Sequence, residues 1–242
     1  MPNHVITRIT IDKSVLDKYV KKAAGQDYLT FDFGQLVPQP KCLVKGDLQS
    51  STTTCAEIAL GLIDFASQSK MPADPMANMG AAADVLHRGN ATRQLVQGPM
   101  AKDLNDEEFE IMVQTMRSYR TCGQLNWRDW NIKHWGTKSN AYSVKRVSDT
   151  VLEFETAWSA PHPVIEKLAE TCGTGLKFEF SDEDTGSNVG YRIFDDMGRP
   201  IDEKNLHGTK EGMELAIEMH NEEARWDWDE EKGQYVYSEE DE

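Results

Sequence analysis

Cysteine is scarce in this 242-residue sequence: Cys42, Cys55, Cys122 and Cys172 are the only four, and no two stand as a CxxC pair. That scatter argues against a disulfide framework or a zinc site and reads as reduced core thiols of a cytoplasmic protein. No apolar run approaches the roughly 20 residues that span a bilayer, so no membrane partner is expected. The opening MPNHVITRITID lacks the basic-then-apolar pattern of a signal peptide. Neither GxxxxGK[ST] nor GxGxxG occurs, which leaves nucleotide phosphates without a recognisable backbone cradle. Positive charge is short at one end. Residues 181–242 hold twenty Asp and Glu against six Lys and Arg, a net of −14, while the first 180 residues are nearly neutral, with twenty-one against twenty.

What is present alternates between strand and helix signals. Val5, Thr7, Ile9 and Ile11 alternate with Ile6, Arg8 and Thr10, the period of a half-buried strand. Asp12 is placed to cap a helix carrying Val15, Leu16, Tyr19, Val20 and Ala23, stopped by Gly25. Leu29, Phe31 and Phe33 predict a second strand. The pattern returns late: Leu152, Phe154, Thr156 and Trp158, then a helix opened by Pro163 with Val164, Ile165 and Leu168, then Leu176, Phe178 and Phe180. Two β-α-β units predict an α+β fold. The expected form is a ferredoxin-like, split β-α-β antiparallel sheet with both helices on one face.

The predicted organisation has four parts: 1–40 as the first half, 41–125 as a helical insertion, 126–195 as a Trp-rich loop with the second half, and 196–242 as an acidic extension. Within the insertion, Thr54 with Glu57 and Asn105 with Glu108 read as capping boxes. The first precedes Cys55, Ile58, Ala59, Leu62, Phe65 and Ala66; the second leads Phe109, Met112, Val113 and Met116 down one face. Met76, Met79, Ala83 and Leu86 form a methionine-rich stripe between them, interrupted at Gly89 and Gly98-Pro99. Toward the C-terminus, residues 188–194 read as a strand and Asp195 to Gly198 as a turn, and Thr209 caps a helix with Met213, Ala216, Ile217 and His220. Arg225 to Tyr237 reads as a hairpin with Trp226 and Trp228 facing Tyr235 and Tyr237 across Lys232-Gly233.

The stretch NWRDWNIKHWGTKSNAY, residues 126–142, holds three of the six tryptophans and follows neither a helix nor a strand period. It reads as an ordered loop, either a structural plug whose indoles are buried or a recognition surface.

Three motifs carry a resemblance. PNHVITRITI, WGTKSNAY and FETAWSAPHPVIEKLAE, in that order, resemble the YubB-like family of plasmid and phage proteins with a ferredoxin-like domain, over roughly residues 1–36 and 126–195. Ser139 stands where that family often has another Trp. The resemblance implies a fold, a mobile-element origin and the cytoplasm of a bacterial host; it implies no activity and no catalytic residues.

The residues themselves offer little chemistry. His134, His162, Cys122 and Cys172 are in no spacing that pairs a nucleophile with a base, and Asp182, Asp184 and Gly186 only echo a calcium loop. No enzyme activity, cofactor or metal is expected. The expected function is that of an interaction protein with a counter-defence role, whose acidic end mimics nucleic acid and binds a host protein with a basic surface. Its candidate contacts are Glu222, Glu223, Trp226, Asp227, Trp228, Asp229, Glu230 and Glu231. The alternative is a nucleic-acid-binding accessory protein using Trp127, Arg128, Trp130, Lys133, Trp135 and Lys138. The sheet itself is a poor platform for nucleic acid, because Asp32, Glu153, Glu155 and Glu179 are predicted on its open face.

Overall fold

Strand β1, His4–Thr10, is the centre of a six-stranded antiparallel sheet. Its alternation buries Val5, Thr7 and Ile9 on one face and leaves Arg8 and Thr10 on the other. It pairs on one side with β5, Val151–Ala157, and on the other with β6, Leu176–Asp182. The computed structural model describes residues 3–43, 51–57, 59–60 and 103–238. Ile58, Leu62, Phe65, Ala66, the methionine stripe from Met76 to Leu86, its breaks at Gly89 and Gly98-Pro99, and residues 239–242 lie outside the described residues. The chain divides into two units, one formed by Met1–Pro38 with Asn131–Glu242, the other by Gln39–Trp130.

In the first unit the sheet runs β4, β5, β1, β6, β7, β8, where β4 is Tyr142–Arg146, β7 is Gly190–Phe194 and β8 is Pro200–Asn205. The arrangement of β1 between β5 and β6 is the core of the split β-α-β pattern. The expected second strand departs from it. Helix α1, Lys13–Tyr19, is capped by Asp12 through the Ser14 N–H at 2.8 Å but ends at Tyr19, because Val20 takes an extended conformation. The next strands, β2 (Val20–Lys22) and β3 (Leu29–Phe31), form a separate two-stranded ribbon closed near Gly25, which has φ +72°. A strand that short turns back before it can cross the sheet, and β4 takes the place beside β5. Phe31 still reaches the core, 5.4 Å from the Phe154 ring centroid in an edge-to-face contact.

Asn140 holds this detour in place. Its Oδ1 accepts the Phe33 N–H at 2.8 Å, and its Nδ2 donates to Asp32 Oδ1 at 2.9 Å. Asp32 therefore lies outside the sheet and caps the short 3-10 turn Phe33–Gln35 through the Gly34 N–H. Strand β5 also stops one residue early. Leu152, Phe154 and Thr156 are buried as predicted, but Trp158 has φ +75° and is 56% exposed. The reversal at 158 turns the indole out of the core.

Helix α4, His162–Cys172, buries Val164, Ile165, Leu168 and Ala169. The His162 ring meets Phe178 and Phe180 edge-on, at 5.1 and 4.9 Å. The opposite face of the sheet is not open, contrary to expectation. Helix α5, Lys210–His220, is capped by Thr209 through the Gly212 N–H at 3.0 Å and packs there. Arg8 bridges Glu153 on the neighbouring strand at 2.8 Å and Glu218 of α5 at 2.6 Å, and His220 meets Ser181 at 3.2 Å. A face read as carboxylate-rich and solvated is thus covered by α5 and partly paired, by Arg8 and by Lys177, which meets Glu179 at 2.7 Å.

The second unit shows helix at residues 51–57, so Thr54 lies inside a helix rather than at its start. Thr52, Cys55 and Ala56 are all buried, and a buried stripe that begins before Thr54 carries the helix past it. Helix α2, Asp106–Cys122, has the predicted Asn105–Glu108 capping box and ends at Gly123, φ +72°. Cys55, Ala56 and Met112 form a buried cluster with Leu104, Val113 and Met116 around it, while Phe109 stays exposed.

Residues 127–135 are not a loop. They form helix α3, Trp127–Trp135. Asn126 caps it: its Oδ1 accepts the Asp129 N–H at 3.0 Å and its Nδ2 donates back to Asp129 Oδ2 at 2.9 Å. Trp130, Asn131 and Trp135 follow Trp127 at helical intervals, a spacing masked in the sequence by the polar residues between them.

Candidate interaction surface

The acidic end of the chain is built on a hairpin. Strands β9, Trp226–Asp229, and β10, Gln234–Tyr237, pair with Trp226 opposite Tyr237 and Trp228 opposite Tyr235. The facing rings meet edge-on, with centroids 5.3 and 5.2 Å apart. Cross-strand aromatic pairs of this kind stiffen a two-stranded ribbon that would be marginal alone. The hairpin is also tied to α5, because Lys210 Nζ lies 3.6 Å from the Trp228 ring centroid and Tyr235 Oη donates to Glu214 at 3.3 Å.

The eight candidate contact residues divide by role. Glu222 works inside the fold: its Oε2 accepts from Thr185 Oγ1 at 3.0 Å and Trp226 Nε1 at 3.2 Å, and Oε1 pairs with Arg225 at 2.9 Å. Burial alone would raise its carboxyl, but those three hydrogen bonds outweigh it and hold it below its ordinary value. Asp229 closes the turn. The Lys232 N–H, then its ammonium group, hold the Asp229 carboxyl below its ordinary value, and the Glu231 N–H adds to them. Trp226 and Trp228 are half-buried braces. Glu223, Asp227, Glu230 and Glu231 are exposed, with Asp227 accepting from Ser238 Oγ at 2.5 Å.

The candidates in the Trp-rich stretch fare differently. Trp130 and Trp135 are buried and cannot stack on a base. Trp135 Nε1 donates to the Val37 carbonyl at 2.9 Å, and its ring lies 5.7 Å from Phe33. Asn131 Nδ2 donates to the Lys138 carbonyl at 2.8 Å, Thr137 Oγ1 to the Ala157 carbonyl at 2.8 Å, and Ser159 Oγ to the Gly136 carbonyl. Trp127 is half-buried, while Arg128 and Lys133 are exposed. The Lys138 ammonium lies 5.4 Å from the centroid of Trp158, an exposed ring absent from the sequence-based candidates. These bonds tie the segment to Val37, Ala157 and its own carbonyls.

The two candidate catalytic side chains of α4 are not assembled. His162 and Cys172 are the two ends of α4, about 15 Å apart along its axis at 1.5 Å per residue. Cys172 Sγ donates to the Ala169 and Thr174 carbonyls at 3.4 and 3.1 Å. Burial, with help from Arg192, lowers the His162 pKa and favours its neutral ring. Burial and then Lys133 do the same to His134. Asp182, Asp184 and Gly186 belong to the β6–β7 turn, where Asp182 accepts from Asn3 Nδ2 at 3.0 Å and Asp184 from Ser187 Oγ at 3.0 Å. Among the described residues no group of three or more His, Cys, Asp and Glu is placed to hold a metal ion, and no helix is long and apolar enough to cross a membrane.

One polar cluster has no signature in the sequence. His4 Nδ1 lies 2.7 Å from Tyr142 Oη and 3.5 Å from Glu155 Oε2. Burial, with Glu155 and Glu183 nearby, pushes the Tyr142 hydroxyl up to about 12. His4 and Tyr142 belong to two of the three motifs, 138 residues apart, and only strand register brings them together.

Residues 129–229 match the family model described as the ferredoxin-like domain in Api92-like protein. The domain is ferredoxin-like. The match runs further toward the C-terminus than the motif resemblance does, taking in β8 and α5, and leaves β1 outside it. Of the expected relationship, the match supports a ferredoxin-like domain similar to that of Api92-like protein over those residues. A solved structure, that of protein api92 from Yersinia pseudotuberculosis, is similar over 85% of this chain and 98% of its own, with 12% identity and a TM-score of 0.36. No curated protein matches the chain.

Proposed function

We propose that the chain is a non-enzymatic interaction protein of phage or plasmid type, related to the YubB-like proteins and acting in the cytoplasm of a bacterial host. Its acidic C-terminal region binds a host protein on a basic, nucleic-acid-binding surface, presenting carboxylates where phosphates would lie. Such a nucleic acid mimic serves counter-defence. The observation that carries the reading is the braced hairpin. Glu223, Asp227, Glu230 and Glu231 are exposed beside two aromatic pairs that hold the ribbon in one conformation. Charge fixed before docking loses less entropy on binding than charge on a flexible tail. Glu222, Asp229, Trp226 and Trp228 complete the surface as its supports.

Affinity capture from a bacterial lysate, with and without nuclease, tests the partner class. A protein retained after nuclease supports the reading; nucleic acid recovered without a protein overturns it in favour of binding through the Trp-rich segment. The carboxylates are tested on the captured partner with Glu223→Gln, Asp227→Asn, Glu230→Gln and Glu231→Gln combined. Glu222 and Asp229 are left intact because they hold the hairpin together. Association should slow at low salt and converge with the parent as the Debye length falls below about 10 Å. Deleting residues 239–242, which spares Ser238 and its bond to Asp227, should change the on-rate less. Equal on-rates for the parent and both variants across the salt series would reduce the acidity to a role in solubility.

A further inference from the structure

None of the four cysteines is in a disulfide. The Cys42 carbonyl accepts from Ser118 Oγ at 2.5 Å and Gln114 Nε2 at 3.1 Å, which fixes residues 41–43 against α2. Cys122 stands one helical turn beyond Ser118 on the same helix, and its Sγ donates to the Ser118 carbonyl at 3.2 Å. This places Cys42 one helical turn from Cys122, near enough for the two thiols to interact, although 79 residues stand between them in the sequence.

We propose that Cys42 and Cys122 are an oxidation site, closing a disulfide that clasps residues 41–43 to the C-terminal end of α2. The other two thiols are poorly placed to compete. Cys55 is buried in the cluster with Ala56 and Met112, and the Cys172 Sγ is engaged by the carbonyls at the end of α4. The oxidant is a low-molecular-weight disulfide. One thiolate attacks a sulfur of that disulfide, forming a mixed disulfide and releasing the first small thiol. The second protein thiolate then attacks the cysteine sulfur of the mixed disulfide and releases the second small thiol. Two protein thiols are oxidised, one small disulfide is reduced to two thiols, and the protons lost by the cysteines are taken up by the leaving thiolates. Burial raises the Cys42 pKa, so the exchange is slow and is best followed at equilibrium. The closed bond would constrain the unfolded chain across the whole span from 42 to 122.

The test equilibrates the intact chain in oxidised and reduced glutathione mixtures, blocks remaining thiols by alkylation, and maps peptides by mass spectrometry. The expected result is one linked pair, Cys42–Cys122, with alkylatable thiols falling from four to two and the melting midpoint rising, both reversed by dithiothreitol. A chain with Cys55→Ser and Cys172→Ser should behave alike, while Cys42→Ser should abolish the link. Four alkylatable thiols in the most oxidising mixture, glutathione adducts without a protein disulfide, or a 42–122 link no more abundant than other pairs would each overturn the proposal. The double variant keeps the test decisive if Cys42→Ser alone fails to fold.

Discussion

The indole N–H of Trp135 donates to the Val37 carbonyl at 2.9 Å, joining residues 98 apart in the sequence. The same ring lies edge-on to Phe33, whose own N–H is held by Asn140. Trp135 and Asn140 stand on either side of the Gly136-Thr137 bend, and together they anchor the segment that leaves the ribbon β2–β3.

Trp135→Ala should therefore cost about 3–5 kcal/mol, the range for truncating a large buried aromatic. Trp135→Phe keeps ring area but leaves the Val37 carbonyl without its donor, and should cost less, about 1–3 kcal/mol. Denaturant melts measure both. An unchanged midpoint for the alanine variant would show that the buried indole does not hold the fold.

Two glycines with left-handed backbones should respond differently to alanine. Gly123 has φ +72° with nothing within 4 Å of an added Cβ, so Gly123→Ala should carry only the conformational strain, about 1–2 kcal/mol. Gly136 has φ +80°, and its Cβ would lie 2.8 Å from Pro163 Cδ and 3.2 Å from the Ala160 carbonyl oxygen. Gly136→Ala should cost more by about 1–3 kcal/mol of overpacking. Denaturant melts that gave equal losses would show that the Pro163 and Ala160 contacts yield without cost.

His162 should make stability depend on pH. Its folded pKa lies below the ordinary 6.5, chiefly because burial between aromatic rings disfavours the imidazolium. The unfolded chain then binds the proton more readily than the folded one, so stability is full above about 6.5 and falls as pH drops through the folded value. Thermal melts between about pH 5 and 8 should show this slope in the parent and a shallower one in His162→Gln. Parallel slopes would assign the acid sensitivity to other groups.

Local patterns make much of the fold legible in the sequence. The alternation of Val5, Thr7 and Ile9, the Asn105–Glu108 capping box, the Thr209 cap and the Trp226/Tyr237 and Trp228/Tyr235 pairing are all properties of neighbouring residues, set by backbone period and short-range hydrogen bonds. Net charge is also additive along the chain, which is why the acidic end can be read from composition alone. Tertiary structure decided what depends on distant partners. Whether Leu29–Phe31 crosses the sheet is a competition with β4, more than 100 residues later, and the chain turns back at Gly25 instead. Whether Glu153 faces solvent depends on Arg8 and the helix above it; whether Trp158 is buried depends on a reversed φ at the end of β5. The meeting of His4 with Tyr142 and the approach of Cys42 to Cys122 follow from strand register and helix packing, which bring together side chains that no spacing along the chain relates.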